Sequence, residues 1–179
     1  MKIKLLTLIF FLSYATIAQE RFITKSGIIS FEASIPAFEE IKGKNTSASC
    51  VLNTKSGEIA ALALVRGFNF KIALMEEHFN ENYIESNKFP KTTFKGKIEN
   101  FSYPRITKTE QSYTINGTLE LHGKTKDVSV TAKIKRTDGG IEIKSDFVVN
   151  TDDFEIEIPS VVSKKKKKNV KVSLEFLLK

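Results

Sequence analysis

The side chains that could carry out chemistry in this sequence are few and widely spaced. The two histidines, His78 and His122, are far apart in the chain and have no obvious third metal ligand. The single cysteine, Cys50, has no histidine near it in sequence to act as a base. No Gly-x-Ser-x-Gly elbow, HExxH motif or phosphate-binding loop occurs either. We therefore predict no catalytic residue, no metal and no cofactor.

The same residues have structural interpretations. An imidazole at a turn can tie that turn to neighbouring backbone, and the position of His122 beside Gly123 suits this role. Cys50 lies in a strand-like stretch, where we expect a small buried residue. The acidic run has the composition of a paired-carboxylate site, but such runs are mostly the solvated face of a strand. It contains Asp152, Asp153, Glu155 and Glu157.

The length of 179 residues is enough for one domain with a substantial core. Residues 1–18 have the form of a secretory signal peptide: Lys2 and Lys4, an apolar run over 5–13, and small residues before a predicted cleavage near Ala18. No other run approaches the ~20 apolar residues of a membrane span. We expect an exported, soluble mature protein in which residues 19–179 form a single domain.

From Phe22 onward, short alternating apolar runs separated by turn residues predict about eight long antiparallel strands, a pattern typical of a barrel or sandwich. One stretch differs, because Ile72, Met75, Phe79 and Tyr83 recur at helical spacing. We expect a short helix over 75–86 that closes or supports a curved sheet. The predicted fold class is all-β, an eight-stranded antiparallel barrel with one short helix.

Several strand faces can be assigned from this alternation. Ile115, Gly117, Leu119 and Leu121 share one face of a strand, and residues 128, 130, 132 and 134 share a face of the next. Residues 122–127 are expected to join the two strands. The run 59–65 is apolar on both faces, which predicts a strand covered on both sides.

Three blocks of the sequence resemble the YceI-like family. They are Met75-x-x-His78-Phe79-x-x-x-Tyr83-Ile84-Glu85-Ser86-x-Lys88-Phe89-Pro90-x-x-x-Phe94-Lys95-Gly96, then Gly117-Thr118-Leu119-Glu120-Leu121-His122-Gly123-Lys124-Thr125-Lys126-Asp127-Val128, and Asp153-Phe154-Glu155-Ile156-Glu157-Ile158-Pro159-Ser160. They follow the family's order and extend over nearly the whole mature chain. Glu155 stands where members of the family often have a glycine.

The resemblance implies an extended eight-stranded barrel similar to lipocalins, with an elongated apolar cavity. It also implies export by a bacterium, most simply to the periplasm, and binding of a polyisoprenoid or another long-chain amphiphilic lipid, for storage or transport. An isoprene unit carries five carbons, so its burial could contribute up to about 4 kcal/mol. Candidates for the cavity wall are Phe70, Phe79, Tyr83, Phe94, Ile115, Leu119, Val130, Phe147, Phe154 and Phe176.

Two other functions remain open from the sequence. The barrel could be filled and act through its surface as an interaction or stress-related module, in which case Phe70, Phe94, Phe147 and Phe176 would interlock across it. It could also be an enzyme acting on a lipid or quinone in the same cavity, which would require a polar cluster at the mouth.

The net charge of +7 includes a run of lysines near the C-terminus. No aromatic residues alternate with them to stack bases, so we predict no nucleic-acid partner. We expect a solvated loop, and transient contact of this loop with an acidic membrane surface is the alternative. The sequence permits a homodimer without requiring one. The run consists of Lys164, Lys165, Lys166, Lys167 and Lys168.

Overall fold

A computed structural model of the protein describes residues 20–33, 41–157 and 169–179. The predicted signal peptide and the predicted basic loop, residues 1–18 and 164–168, therefore lie outside the described residues. No helix in the described ranges is long and apolar enough to cross a membrane.

The described chain consists mainly of antiparallel strands. The strands are β1 (Arg21–Ala33), β2 (Ile41–Asn53), β3 (Glu58–Leu64), β4 (Asn69–Phe70), β5 (Lys91–Ile98), β6 (Gln111–Leu121), β7 (Lys124–Thr137), β8 (Gly140–Asn150) and β9 (Asn169–Leu178). The described ranges contain one α-helix, α1 (Ala73–His78), which is followed directly by a π-helical segment, Phe79–Tyr83. Short 3-10 turns occur at Val65–Gly67, Tyr103–Arg105 and Thr151–Phe154.

Eight of these strands form a closed barrel. Their order is β1-β9-β8-β7-β6-β5-β3-β2, and β2 pairs back onto β1 to close the ring. The ninth strand, β4, adds a two-residue pairing to the start of β2, Gly43 with Phe70 and Lys44 with Asn69. Closure leaves none of the eight strands with an unpaired edge. This confirms the predicted fold class.

The closing strand β1 bends at Gly27, where its register with β2 shifts. A Cβ atom at this position would lie 2.2 Å from Cδ1 of Phe176. A glycine here therefore leaves room for the ring of Phe176, which is buried in the barrel interior.

The barrel interior has two different halves. At the end where β1 begins and β9 ends, large apolar side chains are fully buried and pack on one another. They include Leu52, Ile98, Ile106, Ile134, Ile141 and Leu178. At the opposite end, where β5 begins and β6 ends, the interior is not filled. The packed half stabilises the barrel, and the unfilled half is the candidate site.

Three local predictions were wrong. The helix is shorter than expected, and Ile72 is exposed as its N-cap rather than packed on the sheet. The outer face of β3 is uncovered, because Leu62 and Leu64 are exposed. β6 and β7 are joined by only His122 and Gly123, whose φ angles of 50° and 70° fit a type I′ turn.

Candidate functional site

The candidate site is an apolar cavity of about 240 Å³ in the unfilled half of the barrel. All eight barrel strands contribute inward-facing side chains to its wall. Successive side chains of a strand point to opposite faces, so most strands present every second residue to the cavity, although β3 and β5 each border it with three consecutive residues. In β6 the inward-facing residues are Ile115, Leu119 and Leu121, and in β7 they are Val128, Val130 and Ala132. Both predicted strand faces are therefore confirmed.

Several polar side chains in the wall form hydrogen bonds with groups outside it. The hydroxyl of Thr92 donates to the Glu120 carbonyl at 2.7 Å, and that of Ser145 donates to the Thr131 carbonyl at 2.7 Å. No acidic, basic or histidine side chain is among the described lining residues. Within the described chain, the Tyr83 hydroxyl makes no hydrogen bond, and the surface that borders the cavity is almost wholly apolar.

Eight of the ten predicted wall residues lie in this wall. They are Phe79, Tyr83, Phe94, Ile115, Leu119, Val130, Phe147 and Phe176. Their contact with a ligand stays a prediction. Phe79 and Tyr83 come from the π-helical segment, so this segment contributes directly to the cavity.

The structure places the other two predicted residues, Phe70 and Phe154, outside the described wall. Phe70 lies on β4, which pairs beside the ring, and its side chain packs on Phe31 and Phe79 with ring centroids 5.7 Å and 5.0 Å away. Phe154 ends the 3-10 turn that follows β8 and is buried beside His122. Phe70 therefore packs against wall residues from outside the cavity, and Phe154 lies next to His122.

Phe31 and Phe68 are wall residues that the sequence analysis did not select. They join Phe79 and Phe70 in an aromatic cluster in which the Phe31 and Phe79 rings stack at 5.3 Å. Phe31 carried a usable signal, since it alternates with Ile29 and Ala33, which also line the cavity. Phe68 lies between a 3-10 turn and β4, where no periodicity marks its orientation.

His122 connects three segments near the cavity mouth. Its Nδ1 lies 2.9 Å from the Phe154 carbonyl oxygen and its Nε2 lies 3.2 Å from a Glu85 carboxylate oxygen, while the Phe89 ring packs edge-on at 4.5 Å. Each ring nitrogen therefore lies within hydrogen-bond distance of an oxygen atom from a different segment. The prediction of a hydrogen-bonding post is confirmed. We call this group the mouth clamp: His122, Glu85, Phe89 and Phe154.

The carboxylates near the mouth are held as anions by neighbouring cations. A hydrogen bond from Lys88, and then one from His122, lowers the pKa of Glu85. Lys124 lies 2.8 Å from Glu155 and is the main cause of the lowered pKa of that carboxyl. The acidic run is not a strand face as predicted, because residues 151–154 form a 3-10 turn and Glu155 follows it in the left-handed conformation.

No catalytic or metal site is apparent elsewhere in the described residues. Cys50 is buried, and this burial raises the pKa of its thiol to about 12, so the reactive thiolate is scarce. No group of three or more His, Cys, Asp or Glu side chains in the described ranges could hold a metal ion.

The fold of the chain is shared with solved structures of low sequence identity. A polyisoprenoid-binding domain from Saccharophagus degradans superposes with a TM-score of 0.77 at 13% identity, covering 89% of this chain and 98% of that one. BcnA of Burkholderia cenocepacia gives 0.68 at 12% identity, covering 83% and 94%. The YceI protein of Campylobacter jejuni gives 0.64 at 16% identity, covering 82% and 90%.

A comparison with curated proteins found no match. The sequence does match the profile of the YceI-like domain over residues 22–178, which is nearly all of the described barrel and its connections. The chain therefore belongs to the YceI-like family.

Proposed function

We propose that this protein is a non-enzymatic binding protein that holds the apolar tail of an isoprenoid or another long-chain lipid inside the barrel. The observation that carries the proposal is a closed barrel with an unfilled interior whose described wall contains no charged side chain. The similarity to a polyisoprenoid-binding domain supports the same class of ligand.

The size of the cavity favours a slender ligand. Small-molecule pockets commonly measure roughly 300–1,000 Å³, and this cavity of about 240 Å³ lies just below that range. Burying one isoprene unit contributes up to about 4 kcal/mol before the cost of ordering the ligand. A tail of a few units therefore fits the available space and gains enough free energy to bind.

The wall also restricts the headgroup. Placing a charged phosphate against apolar side chains without a paired cation is strongly unfavourable. A ligand whose headgroup enters the cavity is therefore uncharged, such as an alcohol or quinone. A charged headgroup would remain outside the described wall.

The ligand-free alternative has less support. It requires phenylalanine rings interlocked across the barrel, whereas Phe94, Phe147 and Phe176 lie around an open cavity and Phe70 packs outside its wall. The proposal also includes export to the bacterial periplasm and a role in lipid storage or transport. The form of residues 1–18 supports the export step.

The test is native mass spectrometry of the protein purified from its own exported fraction, followed by organic extraction of whatever is released. We expect one apolar-tailed molecule per chain and, for stripped protein, uptake of geranylgeraniol added from ethanol. A bare mass together with no uptake of geranylgeraniol would contradict the proposal and favour a surface interaction module. Recovery of the protein only from the cytoplasm would contradict the periplasmic role.

A further inference from the structure

The outer surface beside the cavity carries an unusual concentration of exposed apolar side chains. Seven large hydrophobic residues are exposed in the described chain, and four of them fall within residues 62–74. We call these four the apolar patch: Leu62, Leu64, Ile72 and Leu74. Between 37% and 59% of each residue is exposed. Isolated exposed leucines are ordinary on a protein surface, but four large exposed side chains within residues 62–74 mark a candidate interaction site.

The chain path places this patch at the cavity end of the barrel. The excursion that contains α1 begins after Leu64 and returns at Lys91, and these two residues pair across β3 and β5. A hydrogen bond of 2.9 Å from the Val65 amide to the Pro90 carbonyl closes the base of the excursion. The same excursion supplies Phe79 and Tyr83 to the cavity wall.

Cations accompany the apolar patch. Lys91 pairs with Leu64 in the sheet, Lys71 precedes Ile72, and Lys44 pairs with Asn69. All three lysines are exposed, and none has an ion-pair partner in the part of the chain that the structure describes. Arg66 is also exposed and donates to the neutral side chain of Asn87. These four residues present positive charge that no described carboxylate neutralises.

Acidic residues limit where contact can occur. Glu76 is occupied by the Phe70 amide, which donates to it at 3.0 Å, whereas Glu77 and Glu81 are exposed further along the excursion. Contact with an anionic surface is therefore expected at the N-terminal end of α1 and the end of β3.

We infer that the apolar patch and its four cations dock the cavity end of the barrel onto a lipid bilayer that contains anionic headgroups. Apolar side chains enter the interfacial region of the bilayer, while lysine and arginine attract its acidic lipids. Docked in this way, the cavity end of the barrel meets the membrane and an apolar tail crosses little water on entry. That last step rests on the proposed function; the docking does not.

The experiment is co-sedimentation of the purified chain with vesicles of phosphatidylcholine, alone or mixed with phosphatidylglycerol. The patch variant is Leu64→Ser/Ile72→Ser/Leu74→Ser. Its matched control is Ile23→Ser/Val148→Ser/Leu177→Ser, since these three residues are exposed to a similar extent, 41–58%, elsewhere on the barrel. We expect the patch variant to lose at least about tenfold in partitioning onto mixed vesicles and the control to bind like the parent chain.

The charge variant is Lys71→Gln/Lys91→Gln, and its control is Lys55→Gln/Lys97→Gln, which removes two exposed lysines at the packed end. Each cation near an acidic surface contributes roughly a fivefold factor, so we expect the charge variant alone to lose about tenfold or more on mixed vesicles. On pure phosphatidylcholine vesicles, the charge variant and its control should bind alike. Thermal melts establish that all variants are folded.

Two outcomes would overturn the docking inference. In one, the patch variant binds vesicles as well as its control does. In the other, light scattering shows that the parent chain dimerises through the patch, and the parent chain does not bind vesicles. Uptake of geranylgeraniol from ethanol is measured on the same variants, and we expect it to be unchanged. Failure of that uptake in the parent chain would contradict the proposed function and leave the docking result independent.

Discussion

Cys50 illustrates how burial decides the chemistry of a residue. It is 2% exposed, and burial raises the pKa of its thiol from 9.0 to about 12. The thiolate is the nucleophilic form, so at pH 8 the population able to react is about a thousandfold smaller than for an ordinary cysteine. The residue therefore serves as a small apolar side chain in β2.

This gives a simple reactivity prediction. Ellman's reagent at pH 8 should modify Cys50 at least about a thousandfold more slowly in the native protein than in guanidinium chloride. The comparison of native and unfolded protein is its own control, since the same thiol is measured in both. Stoichiometric modification of the native protein within minutes would mean that β2 opens locally and that this end of the barrel is less stable than its packing indicates.

Glu155 shows a second residue-scale effect, in which the backbone conformation is unfavourable for the residue present. Its φ of 52° is in the left-handed region, which glycine adopts most easily. This accounts for the glycine that family members often have at the position. In this chain the carboxylate gains an ion pair with Lys124 across the mouth, so the side chain contributes a contact that glycine would lack.

At the scale of elements, the mouth clamp holds together pieces that are distant in sequence. His122 joins the β6–β7 turn to Glu85 in the segment after the π-helix and to Phe154 beyond β8. The turn fixes the imidazole, because His122 and Gly123 both have positive φ and a Cβ at Gly123 would lie 2.5 Å from the Phe89 ring. The clamp therefore depends on a glycine at position 123.

The clamp has a predictable response to acid. The pKa of Glu85 is lowered in the folded protein, first by Lys88 and then by His122, so its stabilising effect is complete above its ordinary pKa of 4.5. This stabilisation is lost as the pH falls below 4.5 through the lowered pKa, since protonation removes the acceptor charge. We expect Glu85→Gln to reduce the decrease in Tm between pH 7 and pH 3.

The control for this measurement is Glu77→Gln, which removes an exposed glutamate on α1 that lies outside the clamp. Its Tm should depend on pH as that of the parent chain does. Parallel Tm profiles for Glu85→Gln and the parent chain would show that the carboxylate contributes nothing to the folded state and that the clamp depends on the Phe154 contact alone.

The strands were predictable from sequence because apolar residues at alternate positions of a strand face the same side of the sheet. Ile115, Leu119 and Val130 face inward as their spacing required. The predicted helix, 75–86, differed at both ends, because the chain becomes helical at Ala73 and the π-helical segment ends at Tyr83. Ile72 fits the helical period by residue type alone, since the chain there is extended. Leu62 and Leu64 were assigned to a covered strand for a similar reason: an apolar side chain does not reveal whether another element will reach it.

The full set of wall residues could not be predicted from the sequence alone. Which inward residues border the cavity depends on the register of all eight strands and on closure between β1 and β2, and these are long-range properties. Phe70 and Phe154 were selected by residue type, but β4 and the 3-10 turn after β8 direct them elsewhere. Sequence therefore identified the apolar character of the wall and eight of its residues.

For the whole molecule, the two halves of the barrel divide stability from binding. Side chains such as Ile134 and Leu178 fill the closed half, where a lost methylene would leave a void. In the other half the wall surrounds free space, so an added side chain can enter without displacing packed neighbours. This difference allows the binding function to be removed while the fold is retained.

Val130→Phe tests this division directly, since Val130 points into the cavity from β7. The ring should occupy space needed by the lipid tail and weaken geranylgeraniol binding by about tenfold, because roughly two methylene-sized groups lose their burial. The Tm should stay level or rise, as cavity-filling substitutions often stabilise. Titration of stripped protein with geranylgeraniol, together with thermal melts, measures both effects.

The matched variant is Val148→Phe, the same substitution at an exposed position on β8. Phe147 and Val148 alternate along the strand, so this ring enters solvent and ligand binding should equal that of the parent chain. Equal weakening by both substitutions would indicate a general disturbance of the barrel. If neither weakens binding, the lipid tail lies outside this cavity and the apolar patch becomes the surface to examine for it.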